Sequence, residues 1–121
     1  MKRAGRGAGS RAGLARYEQL AELCQVMASG RRLMIMDALR GGEMAVGEIA
    51  GALGASAGSV SPHLLLMRRR RVLAARRRGR QVVYRLASPR MWAAVELVAR
   101  SLRQELRRDM TLLGKRGNRR G

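Results

Sequence analysis

The chain has 121 residues, enough for one small domain with a modest core, and its 26 lysines and arginines against 8 acids give a formal net charge of +18. No apolar run approaches the ~20 residues of a membrane span, and a lone cysteine, Cys24, forbids an intrachain disulfide and fits a reducing cytoplasm. One histidine and one cysteine cannot build a zinc site, and the scattered acids offer no paired carboxylates or nucleophile–base arrangement, so neither a metal cofactor nor an enzyme is expected.

In chain order, residues 1–13 are rich in Gly, Arg and Ser and read as a disordered basic arm without the apolar stretch of a signal peptide. Leu14, Tyr17, Leu20, Ala21, Cys24 and Met27 then recur at helical steps and define a first amphipathic helix. On that face Cys24 is expected as a small buried core residue, the alternative being a thiol near a dimer axis that responds to oxidation. Ser29-Gly30 interrupts the helix. A second spans residues 31–39, with Leu33, Met36 and Leu39 on one side, and Gly41-Gly42 stops it.

The apolar piece Met44-Ala45-Val46 leads into a third helix over residues 46–53, ended by Gly54, and Ser56 caps a fourth running to about Arg70. Ala50, Gly54, Val60 and Leu64 fall at the offsets a helix-turn-helix requires. A small residue permits close approach, a glycine supplies the left-handed turn, and two apolar residues lock the second helix onto the first.

Residues 49–95 contain no acid, and Arg68 to Arg85 holds nine arginines in eighteen positions. The pattern within that run predicts two strands, residues 72–77 and 81–86, with a tight turn at Arg78-Gly79. A recognition helix followed at once by a basic hairpin is a winged helix-turn-helix. The fold expected is mainly α with a small β-hairpin, in the order α-α-α-α-β-β-α. Two tyrosines, one tryptophan and no phenylalanine argue against stacking of unpaired bases, so the partner expected is double-stranded DNA.

Ser88-Pro89 opens a last helix on which Trp92, Val95, Ala99, Leu102, Leu106, Met110 and Leu113 form a seam at three- and four-residue steps. A domain this small has little core left for that seam, which implies a homodimer through the first and last helices. Its interface residues are expected to be Leu14, Tyr17, Cys24, Trp92, Val95, Leu102 and Leu106. Residues 14–113 thus make the DNA-binding and dimerisation domain, and residues 114–121 a basic tail.

Candidate DNA contacts are Ser56, Ser59, Ser61 and His63 on the fourth helix, Arg68 and Arg69 at its end, and Arg77, Arg78 and Arg80 in the wing. Successive helical residues turn by about 100°, so Arg68 to Arg71 cannot all face DNA. His63 is expected to be structural or to touch phosphate. Pro62 removes a helical N–H in the second turn.

Residues 26–87 resemble the ArsR/SmtB family of bacterial winged-helix repressors. The motifs are Val26-Met27-Ala28-Ser29-Gly30-Arg31-Arg32-Leu33-Met34-Ile35-Met36-Asp37-Ala38-Leu39, Glu43-Met44-Ala45-Val46-Gly47-Glu48-Ile49-Ala50, Ser61-Pro62-His63-Leu64 and Gly79-Arg80-Gln81-Val82-Val83-Tyr84-Arg85-Leu86. Met36 to Leu39 and Glu43 to Gly47 are most similar to the branch of rhizobial nodulation repressors and sulfur sensors. The resemblance implies a homodimer on an imperfect palindrome, acting as a repressor relieved by an inducer, in the bacterial cytoplasm at the nucleoid. It also implies what is missing. Metal-sensing members place cysteines where this chain has Ala45 and Gly47, or ligands where it has Ser88, Arg90, Ser101 and Gln104. Sulfur sensors place cysteines at Asp37 and Arg103, a pair that here either makes an ionic link or leaves Asp37 to water or another arginine. Amides that read adenine in relatives are replaced by Ala57 and Pro62. The alternative to a repressor is a nucleoid-type protein coating DNA with little sequence preference.

Overall fold

The computed structural model describes residues 9–120, with side chains over residues 9–111. The chain divides into two compact units, Met1–Ser88 and Pro89–Gly121. The first holds helices α1 (Arg11–Met27) and α2 (Gly30–Leu39), strand β1 (Met44–Ala45), helices α3 (Val46–Leu53) and α4 (Ala57–Arg69), and strands β2 (Leu73–Arg78) and β3 (Gln81–Leu86). The second is a single helix, α5 (Pro89–Arg120).

Serine side chains start three of the helices. Ser10, Ser29 and Ser56 each accept a hydrogen bond from the backbone N–H three residues on, at 3.0, 3.3 and 3.1 Å. Each satisfies an N–H that the first turn leaves without a partner. At α3 the roles reverse, and Glu48 Oε1 accepts from the N–H of Ala45 at 3.1 Å. Because Ser10 caps α1, helix begins inside the segment expected as an arm. Residues 1–8 and 121 lie outside the described residues. At the other end α5 passes through Gly114 and Gly117, where the sequence reading placed a tail. Glycine in a helix interior costs about 1 kcal/mol, which weakens a helix without forbidding it.

The core of the first unit is built from Val26, Ile35, Met36, Leu39, Ala45, Ile49, Ala50, Val60, Leu64, Met67, Val72, Leu73 and Val83, and among the described residues no polar or charged side chain is buried with them. Helix α2 turns Ile35, Met36 and Leu39 inward, with Leu33 only half-buried. From α1, Val26 is buried, while Leu14, Tyr17 and Leu20 are exposed and so is Cys24. This corrects the expectation of Cys24 as a core residue. The apolar stripe on α1 is wider than the core can cover, and Cys24 lies on the uncovered part.

The four positions that signalled the helix-turn-helix behave as expected. Ala50 is 4% exposed, Val60 and Leu64 are fully buried, and Gly54 adopts φ +64°. The axes of α3 and α4 meet at a bend of 112°, within the range of such motifs. Ala55 N–H reaches back to the carbonyl of Ala50 at 2.9 Å and Gly54 N–H to that of Gly51 at 3.2 Å, which closes α3 with a Schellman cap.

The same cap recurs at the end of α4 with a different residue in the left-handed position. Val72 N–H bonds the carbonyl of Met67 at 2.9 Å and Arg71 N–H that of Arg68 at 3.0 Å. Met67 and Val72, the apolar pair that accompanies such a cap, are both fully buried. The residue between them, Arg71, sits at φ +63°. A side chain there meets the following carbonyl, at a cost of roughly 1–2 kcal/mol.

The sheet has three strands rather than the two expected. Its order is β1-β3-β2, all antiparallel, with Met44 opposite Tyr84 and Ala45 opposite Val83. In the hairpin, Leu73 pairs with Leu86 and Arg78 with Gln81, so the turn is Gly79-Arg80, one residue later than predicted. Gly79 has φ +63°. Glycine as the first of two loop residues is what a hairpin turn matched to the twist of its strands needs.

Arg71 and Gly54 generate a paired prediction. Arg71→Gly relieves the left-handed strain and raises stability by about 1 kcal/mol. Gly54→Ala introduces the same strain and lowers stability by about as much or more. Denaturant midpoints at unchanged m-value measure both, and a loss of stability in Arg71→Gly would contradict the assignment.

Candidate nucleic-acid interface

Helix α4 buries Val60, Leu64 and Met67 and leaves its other residues toward solvent. Ser56, Ser59 and Ser61 are exposed and His63 is half-buried. None of the serine hydroxyls is idle. Ser56 Oγ caps the helix, Ser59 Oγ donates to the carbonyl of Ser56 at 2.9 Å, and Ser61 Oγ donates to that of Ala57 at 2.8 Å. Pro62 lies within the helix, which continues past it to Arg69. Pro62 stands past the first turn, so its missing N–H costs the bond to the Gly58 carbonyl, and the fully buried Val60, Leu64 and Met67 hold the helix together across it.

His63 is held from behind. Its Nδ1 accepts from Arg32 Nε at 3.3 Å, and Arg32 Nη1 also donates to the carbonyls of Val26 at 2.9 Å and Gln25 at 3.4 Å. One guanidinium on α2 thus serves two carbonyls at the C-terminal end of α1 and steadies a side chain of the recognition helix. Positive charge near a helix C-terminus is favourable in its own right. With Nδ1 accepting, the outward Nε2 is the nitrogen that carries the proton. Arg32 escaped the sequence reading because an arginine beside Arg31 on a charged helix gives no sign of its partner.

The arginine run divides by its partners. Arg70 Nη1 meets Glu22 Oε2 of α1 at 3.2 Å. Arg76 makes a bidentate pair with Glu43, Nε to Oε2 and Nη2 to Oε1, both at 2.6 Å. Among the described residues, Arg68, Arg69, Arg71, Arg77, Arg78, Arg80 and Arg85 have no carboxylate partner, and all seven are exposed. Five of the seven, all but Arg71 and Arg85, are those singled out from the sequence as DNA contacts. Asp37 Oδ1 is met by Arg40 Nε at 3.0 Å, so its arginine is a neighbour on the same helix end rather than Arg103.

The register explains the Glu43–Arg76 pair. Arg76 lies opposite Val83, and Val83 lies opposite Ala45, so the three form one row across the sheet. With a period of two, Glu43 falls on the same face as Ala45, and Arg78 and Arg85 on the same face as Arg76. The hydrogen bonds from Arg76 hold the Glu43 carboxyl below the usual carboxylate range. Partial burial opposes that shift, and the charges of Arg76, Arg85 and Arg78 add to it. Arg76 is correspondingly pushed above the ordinary guanidinium value, chiefly by its hydrogen bonds to Glu43.

On α5, Trp92 Nε1 donates to Glu96 Oε1 at 2.8 Å. Trp92, Val95 and Ala99 are half-buried, whereas Leu97, Val98, Leu102, Leu106 and Met110 are exposed, Met110 to 72%. From Leu102 to Met110 the seam therefore presents large apolar side chains to solvent. Leu113 lies outside the described side chains. Among the described residues no group of three His, Cys, Asp or Glu is placed to hold a metal ion, and no single helix is long and apolar enough to cross a membrane.

Comparison with known proteins agrees with this geometry. Residues 29–73 match the profile of bacterial regulatory proteins of the arsR family. The homodimeric winged helix-turn-helix DNA-binding domain of Mb0332 from Mycobacterium bovis (fragment 1–100), described as a possible ArsR-family transcriptional regulator, is 36% identical. It superposes with a TM-score of 0.68, over 74% of this chain and 86% of its own. The chain belongs to the ArsR family. Its described residues carry the winged helix-turn-helix fold of that family. NolR from Sinorhizobium fredii is 28% identical with a TM-score of 0.68, over 75% of this chain and 91% of that one, in keeping with the resemblance to nodulation repressors. The HTH-type transcriptional regulator Rv0324 of Mycobacterium tuberculosis is 38% identical over 85 residues, but the match spans only 38% of its length.

The Glu43–Arg76 pair predicts an acid dependence. Glu43 titrates lower folded than unfolded, so its contribution to stability is fully present above the unfolded value and is lost as pH falls through the folded one. Glu43→Gln should therefore remove part of the stability lost between about pH 7 and about pH 3. Denaturation midpoints across that range check this, and parallel curves for the two proteins would exclude it.

Proposed function

We propose that the chain is a dimeric repressor that binds an imperfect palindrome in duplex DNA, with α4 in the major groove and the wing along the flanking backbone. The observation that carries this reading is the set of unpaired, exposed arginines at the end of α4 and in the hairpin, among them Arg68, Arg69, Arg77, Arg78 and Arg80. They stand beside a recognition helix whose polar residues face solvent. Arg77, Arg78 and Arg80 meet phosphate or the narrow groove. Arg68 and Arg69 meet phosphate next to the recognition helix. Ser56, Ser59, Ser61 and His63 line its approach to the bases.

Dimerisation is supported by the exposed apolar residues of α1 and α5. Leu14, Tyr17, Leu20, Leu102 and Leu106 are each more than half exposed in the single chain. Large apolar side chains in such density are commonly covered by a partner. Leu14, Tyr17 and Cys24 with Trp92, Val95, Leu102 and Leu106 form the interface in this reading, and residues 14–113 are the functional domain. The homodimeric state of the Mb0332 domain is consistent with it. Such a regulator works in the bacterial cytoplasm, associated with the nucleoid. Its inducer is neither a metal bound by the family's usual ligands nor a dithiol switch, because Ala45, Gly47, Asp37 and Arg103 stand at those positions.

A coating protein with little sequence preference is favoured by one observation, the net charge of +18. Footprinting separates the two. A repressor protects a discrete palindrome, whereas a coat protein protects DNA continuously. With six or more phosphates neutralised, affinity falls by roughly 10³ or more between about 50 and about 200 mM salt. A shallow salt slope would remove the arginines from the interface, and a monomer by sedimentation would remove the palindrome.

A further inference from the structure

We propose that the recognition helix reads A·T pairs, taking thymine methyl groups on an apolar crest formed by Pro62 and Leu65 and adenine amino groups on the oxygens of Ser59 and Ser61. This rests on the reading that α4 enters the major groove, and it assigns what the helix recognises there.

The crest follows from the buried face. Val60, Leu64 and Met67 are fully buried. At about 100° per residue, Gly58, Pro62, Leu65 and Arg69 fall on the opposite side. All four are exposed, Leu65 to 48%. The outermost line of the helix is therefore glycine, proline and leucine before its first cation. Glycine at position 58 adds no bulk, and a Cβ built there would meet nothing within 4 Å. The apolar ring of Pro62 and the Leu65 side chain are thus the first groups an approaching groove would meet.

The flanking serines have lost their donors. Ser59 Oγ–H is committed to the carbonyl of Ser56 and Ser61 Oγ–H to that of Ala57. A hydroxyl whose proton bonds its own helix offers only lone pairs outward. Pro62 has no N–H for the carbonyl of Gly58, which removes that acceptor's usual helical partner. The crest and its two flanking serines therefore present acceptors and carbon, and the donors of the first two turns, Ser56 Oγ and His63 Nε2, lie off that line.

The major-groove code decides which base pair this surface fits. Guanine shows two acceptors, N7 and O6, and needs donors, which Pro62, Leu65, Ser59 and Ser61 do not offer. Adenine shows an N6 amino group that donates to an acceptor, and its partner thymine shows a methyl group. Cytosine also donates, from N4, but brings no methyl and sits beside guanine O6. Only A·T satisfies both halves of the surface.

The test uses the full chain and duplexes selected by it from a random pool. The selected half-site is then remade with uracil for thymine, which deletes the methyl and nothing else, and both duplexes are titrated against the wild type and Leu65→Ala. Selected half-sites rich in A·T under the helix are expected. Uracil should weaken the wild type about fourfold per contacted methyl and weaken Leu65→Ala by less. Half-sites centred on G·C, equal binding of the uracil duplex, or an undiminished uracil penalty in Leu65→Ala would overturn the proposal. If a palindrome is selected without a uracil penalty, only the A·T reading fails. If no duplex is selected at all, the assignment of α4 to the major groove fails with it.

Discussion

The reversal between Met67 and Val72 is the constraint on which the DNA-facing side depends. Six residues, Met67 to Val72, turn the chain from the end of the recognition helix into the first strand of the wing. Two backbone hydrogen bonds and a pair of fully buried apolar side chains fix that turn. A looser joint would let the hairpin swing, and its arginines would become a mobile cloud of charge. Held in this way, the unpaired arginines keep a set distance from the exposed residues of α4. Positioned charge registers the protein on the duplex as well as attracting it.

The few carboxylates serve the same end. In a chain with eight acids, Glu22 and Glu43 are each spent on an arginine of the run, one near the helix end and one in the wing. Exposed ion pairs contribute little to stability. The bidentate geometry of the second instead fixes one arginine across the sheet and leaves its neighbours unpaired. Glu43 thereby sorts Arg76 from Arg77 and Arg78, a division that the sequence shows only as three consecutive arginines.

Much of the fold was legible because local chemistry and tertiary packing agree. Ala50, Gly54, Val60 and Leu64 announced the helix-turn-helix, and Ser56 announced its cap. The unread parts are those where a short or ambiguous signal is decided by distant partners. Strand β1 is two residues long and exists only because β3 lies beside it, so no alternation marked it. The hairpin turn came one residue late because Arg78, like its neighbours, has no preference between strand and loop that the pattern could reveal. Cys24 was placed inside because α1 carries more apolar surface than one chain can bury. In the candidate site the sequence singled out five of the seven unpaired arginines and missed Arg71 and Arg85, and it gave no sign of Arg32 or Glu43, since neither has a sequence spacing that points to its partner.

Arg71 carries a further consequence, in the language of evolution. Every arginine codon is a single base change from a glycine codon, so the substitution that relieves this residue is among the easiest available to the gene. It would relax the left-handed residue between α4 and the wing. The chain nonetheless holds a cation there, at the junction of the two elements that face DNA. Stability forgone at such a position is what selection on another property leaves behind.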